Sequence, residues 1–378
     1  MSNPIIVERP LLPPSISGDS PTAVTAFIDF FSAGPANTPT PIPSFFEFQQ
    51  TFGGLDSRSE ASYQLQQFFN SGGQDAIVLR IEPEPSTPAF ASALESALNS
   101  FTTPFNLLSI PATSNLAPAD MHTAMLAAQT ACESRNAFYI ADIPPSKSIP
   151  TPSALEAWFA NTGLTARDCA AIYFPRLFIA DPLHPGASRE IGSSGAVAGI
   201  YANTDNTRGV WKAPAGLGAT IVGATPALTI SDAANQQLGA AAINAIRAFP
   251  GPGTVVWGAR TTAGATNSDY QYINIRRFAT YIEQSLQAGL QWVVFEPDTP
   301  TLWASIRLAV SNFLTGLWRQ GAFMGAQPQQ AFFVKCDATT TTQTDIHNGV
   351  VNIQIGFAPL RPAEFIIINI SQLTAQHP

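Results

Sequence analysis

The chain has 378 residues, 45% of them hydrophobic, enough for a large core divided over two or three domains. A net charge of −8 and an isoelectric point near 5.0 argue against a protein that coats nucleic acid, because phosphate contacts require a basic surface. Charged residues make up only 12%, about half the roughly 25% of an average soluble protein, so much of the exterior is neutral polar or covered by something.

With 25 Phe and 6 Trp, this composition suits a subunit whose neighbours bury part of its surface, since interfaces deplete charge and enrich aromatics. A monomer with an unusually large core is the alternative. No run of about 18 apolar residues exists to span a bilayer. The first 16 residues lack a basic stretch followed by an apolar one, so the chain is expected to be made and folded in the cytoplasm. Cys132, Cys169 and Cys336 are far apart, with no CxxC spacing, and are expected to be buried free thiols.

Along the chain, NPIIVER (3–9) is a short strand candidate, followed by a proline-rich linker. Prolines hold such a linker extended at about 3.1 Å per residue, so residues 10–21 reach roughly 35 Å, far enough to meet a neighbouring molecule. AVTAFIDFF (23–31) and AIVLRI (76–81) read as buried strands, with helical spacing over 60–70 that ends at Gly72-Gly73. AFASALESALNSF, the 121–133 stretch and SALEAWFANT continue the helical pattern, with FNLLSIP, AFYIADIP and AAIYFPRLFIA as strands between them.

Residues 181–229 are rich in Gly, Pro, Ser and Thr and read as loop, with Asp205 in a turn before Gly209. QQLGAAAINAIRAF resumes a helical pattern, and Pro250-Gly251-Pro252-Gly253 marks a domain boundary. Beyond it come the strand TVVWGA, a helix from about Ile273 to Ala288 that opens with the pair Arg276-Arg277, the strand QWVVFE, and a helix opened by Thr299 as cap and Pro300 at its first position. That last helix has Leu302, Ile306, Ala309, Phe313 and Leu317 on one face, widened by Trp303, Val310, Leu314 and Trp318. Arg307, Ser311, Thr315 and Arg319 form a narrow polar stripe. NIQI and EFIIINI end the chain as strands, and so apolar a last strand needs a partner.

No catalytic or metal-binding pattern emerges. There is no GxxxxGK[ST] loop, GxGxxG fails at Ile221, and residues 191–199 only approach GxSxG. His122, His184, His347 and His377 stand apart from one another, and Asp337 and Asp345 around the TTTTQT turn fall short of a calcium loop. No cofactor, metal or catalytic residue is assigned.

Several long segments carry a resemblance. SFFEFQQTFGG (44–54), YQLQQFFNSGGQDAIVLRI (63–81), VAGIYANTDNTRGVWKAPAG (197–216), GTVVWGARTT (253–262) and the run from Tyr272 to Thr342 together resemble, in this order and over nearly the whole chain, the contractile tail sheath family. That family includes the sheaths of contractile phage tails, R-type bacteriocins and extracellular contractile injection systems.

The resemblance implies an α/β (α+β) two-domain subunit: an N-terminal arm (1–21), an N-terminal α/β domain (22–249), a tube-facing C-terminal domain (250–361) and a C-terminal arm (362–378). It implies a structural protein, not an enzyme, that stacks in six-subunit rings around an inner tube and contracts from a metastable extended state. Partners would be other copies of the chain, the tube protein, and baseplate and terminator or cap proteins. Nucleic acid and stable membrane insertion are not expected. Ile5, Ile6, Val7 and Glu8, and Phe365, Ile366, Ile367, Ile368 and Ile370, would pair with strands of neighbouring subunits. The stripe Arg307, Ser311, Thr315 and Arg319 is either a solvated edge or the tube-facing one. Assembly would take place in the bacterial cytoplasm, as part of a phage tail or of a particle released from the cell. A paralogue at baseplate or cap is the alternative within the family; an α/β enzyme or a monomeric binding module lies outside it.

Overall fold

The computed structural model describes residues 14–362, apart from 85, 86, 88 and 268. The chain enters the fold on β1 (Thr25–Phe30), whose six residues are all buried. A strand apolar on both faces belongs inside a parallel sheet covered by helices on either side. β2 (Thr40–Ile42) follows, then α1 (Phe45–Phe52), capped by Ser44 and stopped by Gly53 in the left-handed conformation, and α2 (Glu60–Asn70), capped by Ser59. The Phe residues of this region interlock: Phe31 meets Phe48 edge-on at 5.3 Å and Phe27 meets Phe68 at 5.5 Å.

β3 (Ala76–Ile81), α3 (Ala89–Ser100), β4 (Leu107–Ser109), α4 (Pro118–Arg135), β5 (Phe138–Ala141), α5 (Pro152–Phe159) and β6 (Ala170–Phe174) continue the alternation that the sequence predicts. Then come β7 (Leu177–Ala180), β8 (Ser188–Ile191), α6 (Ser194–Arg208), β9 (Ala224–Pro226), α7 (Asp232–Ala240), β10 (Asn244–Phe249) and β11 (Gly253–Val256). The main sheet has the order β11-β10-β6-β5-β4-β1-β3-β2, parallel except for its two outermost strands. β8, β7 and β9 form a small antiparallel sheet of their own.

The remainder is α8 (Ile273–Gly289), α9 (Pro300–Arg319), α10 (Pro328–Ala331), β12 (Phe332–Lys335), α11 (Gln343–His347) and β13 (Gln354–Phe357). Two apolar clusters result. One spans the main sheet and its helices as far as Ile273; the other gathers α8, α9, Phe323 and Cys336 together with Val210 and Ile16. Ile16 precedes the first strand in the chain, yet it packs in the second cluster.

Three expectations change. The stretch 194–208, read as loop, is a helix packed so closely on α2 that a Cβ on Gly195 would lie 2.2 Å from the Gln64 carbonyl oxygen, and one on Gly199 2.4 Å from that of Phe68. Its small residues are what close backbone approach requires. The helical pattern in QQLGAAAINAIRAF ends at Ala240, and its second half is the strand β10. Gly251 and Gly253 shape the hairpin between β10 and β11, and the continuous run of second-cluster residues begins at Phe278. QWVVFE is no strand: Gln291–Val293 makes one 3-10 turn, and Val294 and Phe295 stand exposed. A short apolar run does not by itself reveal whether a partner strand waits for it.

Candidate functional site

A polar cluster lies at the carboxyl ends of the parallel strands, beside the point where the strand order reverses and where open α/β sheets hold ligands. The N-terminus of α6 points into it. Asp142, just after β5, accepts from the backbone N–H of Ser193 at 2.8 Å and of Ser194 at 2.9 Å, and Gln64 Oε1 accepts from that of Gly195 at 2.8 Å. These side chains satisfy the open N–H groups of the helix, as a bound anion would. Ser194 Oγ lies 2.6 Å from Ser109 Oγ on β4 and donates to Asp142 or Gln64, each at 2.7 Å.

Alongside, the buried Arg176 guanidinium pairs with Glu60 at 2.8 Å and Glu190 at 3.1 Å and donates to the Ile143 carbonyl at 2.7 Å. Burial raises the Asp142 carboxyl, while burial opposed by the Arg176 charge leaves Glu60 below the ordinary value. Asp29 sits deeper, where burial pushes it up to about 8. The α6 N–H groups are thus taken up by the protein's own side chains, while Glu60, Arg176 and Glu190 line an open pocket of about 550 Å³.

A second polar cluster joins the two apolar cores. Arg277 on α8 donates to both carboxylate oxygens of Asp205 on α6, at 2.5 and 3.0 Å, and to the Thr22 carbonyl at 2.9 Å, with both side chains almost fully buried. Thr22 Oγ1 donates to Asp205 at 2.7 Å, and the guanidinium stacks 4.8 Å from the Tyr201 ring. Asp205 is therefore a helical residue held by a cation, and the expected turn before Gly209 is not its role. The pair Arg276-Arg277 stood out in the sequence, but nothing local there names Asp205, 72 residues away, as the partner. Tyr281 donates to the Gly18 carbonyl at 2.8 Å, so the chain leading into the first domain is anchored on the second.

Ile5, Ile6, Val7 and Glu8, and Phe365, Ile366, Ile367, Ile368 and Ile370, lie outside the described residues. On α9 the expected apolar face is buried, with Trp318 partly so. Of the polar stripe, Arg307 is half-buried and its guanidinium donates to the Cys336 carbonyl. Ser311 and Thr315 are half-buried, Thr315 donating to the Ser311 carbonyl at 2.7 Å, and Arg319 is exposed at the helix end. The most outward row of this helix is Ala304, Leu308 and Asn312. β12 and β13 pair antiparallel as a two-stranded sheet and pack on the second core through Phe332, Val334, Ile355 and Phe357.

The carboxylates flanking the Thr-rich turn are engaged within it. Asp337 accepts from Thr339, and Asp345 closes a capping box with Thr342, which holds both below the ordinary carboxylate value. His184 lies 3.0 Å from Asp181, while His122 and His347 contact the backbone carbonyls of Asn161 and Gln343; His377 is outside the described residues. No group of three or more His, Cys, Asp or Glu among the described residues could hold a metal, and no described helix is long and apolar enough to cross a membrane. Cys132, Cys169 and Cys336 are buried free thiols, as expected, and burial raises all three.

Comparison with known proteins returns one theme. Residues 265–372 match the family profile of the phage tail sheath C-terminal domain. The tail sheath protein of Enterobacteria phage T4 is 26% identical over 175 residues, a match covering 46% of this chain and 26% of that protein. The matched stretch thus spans about a quarter of that relative. Among solved structures, the sheath complex of the extracellular contractile injection system PVC in the contracted state superposes with a TM-score of 0.77 at 26% identity, over 98% of both chains. The helical sheath of the anti-feeding prophage AFP in the contracted state gives a TM-score of 0.78 at 28% identity, again over 98% of both. Residues 265–372 thus carry a phage tail sheath C-terminal domain, and the two-core α/β fold as a whole is similar, almost end to end, to subunits of contractile sheaths.

Proposed function

We propose that this chain is the repeating subunit of a contractile sheath, stacked in rings of six around an inner tube and attached to a baseplate at one end and a cap at the other. The observation that carries this is end-to-end superposition on subunits of the PVC and AFP sheaths, with almost nothing left over in either chain. Open helical stacking needs heterologous contacts, in which one patch meets a different patch on the next copy. Terminal strands fulfil this by adding to a neighbour's sheet. The acceptor we assign is β12–β13, since a two-stranded ribbon is marginal alone in water and gains from further strands at its edges.

The subunit works without catalysis in this reading, in keeping with the sheath subunits on which it superposes. Contraction draws on surface buried only in the contracted lattice, with the extended lattice kinetically trapped. The C-terminal unit starts near residue 265, where the family match begins and shortly before the core changes. Arg319, Ser311 and Thr315 with the neighbouring Leu308 and Asn312 form the tube-facing edge, braced by Arg307 on Cys336. Assembly takes place in the bacterial cytoplasm, before any release of the particle.

Electron microscopy of the purified protein, incubated alone and with its tube protein, tests this. Regularly striated tubes are expected; a monodisperse monomer under both conditions overturns it.

A further inference from the structure

A groove of about 580 Å³ opens between α7, the segment just after β11 and the loop that follows α6. This is the size range of built ligand sites, roughly 300–1,000 Å³. Ala240, Ile243, Ala245 and the half-buried Trp257 make its apolar lining, Lys212 stands at one side, and Pro362 forms part of its wall. Pro362 is the last described residue, and the chain is steered to it: the Met324 N–H donates to the Ala358 carbonyl at 2.9 Å, Pro359 bridges to Phe323, and Asn274 Nδ2 donates to the Leu360 carbonyl at 2.9 Å.

Beyond Pro362 the chain continues as AEFIIINI. As a strand this segment is apolar on both faces, Phe365 and Ile367 on one and Ile366, Ile368 and Ile370 on the other. Left unpaired, with no proline to interrupt it, it is a template for uncontrolled pairing between chains. A subunit that must remain soluble until it is built into a lattice has to cover it. Eight residues extend at most roughly 26 Å at about 3.3 Å each, enough to run the length of a groove that begins at Pro362. Glu364, the second residue beyond Pro362, carries a charge opposite to that of Lys212 at the side of the groove.

We infer that in the unassembled subunit residues 363–370 of the same chain lie in this groove, so that the strand offered to a neighbour is held against its own body until assembly draws it out. The inference rests on reading 362–378 as an assembly arm, but its test needs no sheath.

The full-length double variant Ala240→Cys with Ile366→Cys, kept monomeric by dilution and checked by sedimentation, is oxidised with diamide and mapped by peptide mass spectrometry. The native thiols are buried and serve as internal controls. An intramolecular 240–366 disulfide in most monomers is expected. Covalent dimers through the same two positions would mean that a second copy fills the groove, and absence of the link would mean that the segment lies elsewhere; either overturns the inference. Separately, deletion of 363–378 is expected to shift tryptophan emission to the red, a shift abolished by Trp257→Phe. A failure of both readouts in a chain that still forms striated tubes refutes the groove and leaves the sheath reading standing.

Discussion

The join between the two cores makes the sharpest energetic prediction. Arg277→Met removes three hydrogen bonds, two to Asp205 and one to the Thr22 carbonyl, and leaves a carboxylate that is only 3% exposed with the Thr22 hydroxyl as its remaining partner in this cluster. Breaking a buried pair by deleting one member costs about 3–5 kcal/mol, because the survivor keeps its desolvation penalty. Replacing both, as Asp205→Leu with Arg277→Met, is expected to cost far less than the sum of the singles, giving a coupling of about 2–3 kcal/mol. The assay is urea unfolding of the monomer followed by two signals. Four of the six Trp residues (211, 292, 303 and 318) pack in or against the second core, so fluorescence weights that core, whereas far-ultraviolet dichroism reports the whole chain. At about 2 kcal/mol per molar urea, the single variant should move the fluorescence midpoint down by about 2 M and separate it from the dichroism midpoint. A shift worth under about 1 kcal/mol, or equal movement of both signals, would refute the idea that this pair binds the two units together.

Three further outcomes are expected. Asp29 holds its proton in the folded state up to about pH 8 but only to about 4 unfolded, so its contribution is least unfavourable below pH 4 and worsens by about 1.4 kcal/mol per unit as pH rises toward 8. Asp29→Asn should therefore flatten this slope in thermal melts between pH 5 and 8, and an unchanged slope would show that the group is not buried as described. Gly195→Val drives a side chain into the Gln64 carbonyl and should lower stability by several kcal/mol or prevent folding, whereas Asn203→Ala, at an exposed position of the same helix, should be close to neutral; equal melting temperatures for the two variants would contradict the close packing of α6 on α2. Removal of residues 1–12 should leave dichroism and melting of the monomer intact while abolishing tubes in electron micrographs; intact tubes would remove the N-terminal strand from the assembly scheme.

How far these features could be read in advance depends on how local their causes are. The helix opened by Thr299 and Pro300, the helix read from its spacing over 60–70, and the buried strands β1, β3 and β6 were legible because capping, periodicity and burial leave marks within a few residues. The failures fall where the deciding partner is remote. Ser194–Arg208 is poor in intrinsic helix formers and becomes a helix because its glycines let it lie on α2 and because Asp142 and Gln64, 51 and 131 residues away in their bonds, cap its start. Asp205 looked like a turn residue for the same reason: its cation comes from α8. QWVVFE failed in the opposite sense, a strand-like composition with no neighbouring strand among the described residues, leaving Val294 and Phe295 exposed. An apolar loop tip is costly for a monomer, and in a chain so poor in charge it reads as surface kept for a neighbour. The residues that sequence reasoning misplaces are therefore concentrated where the deciding partner is remote in the chain, at the packing of α6 on α2 and at the Asp205–Arg277 pair between the two cores.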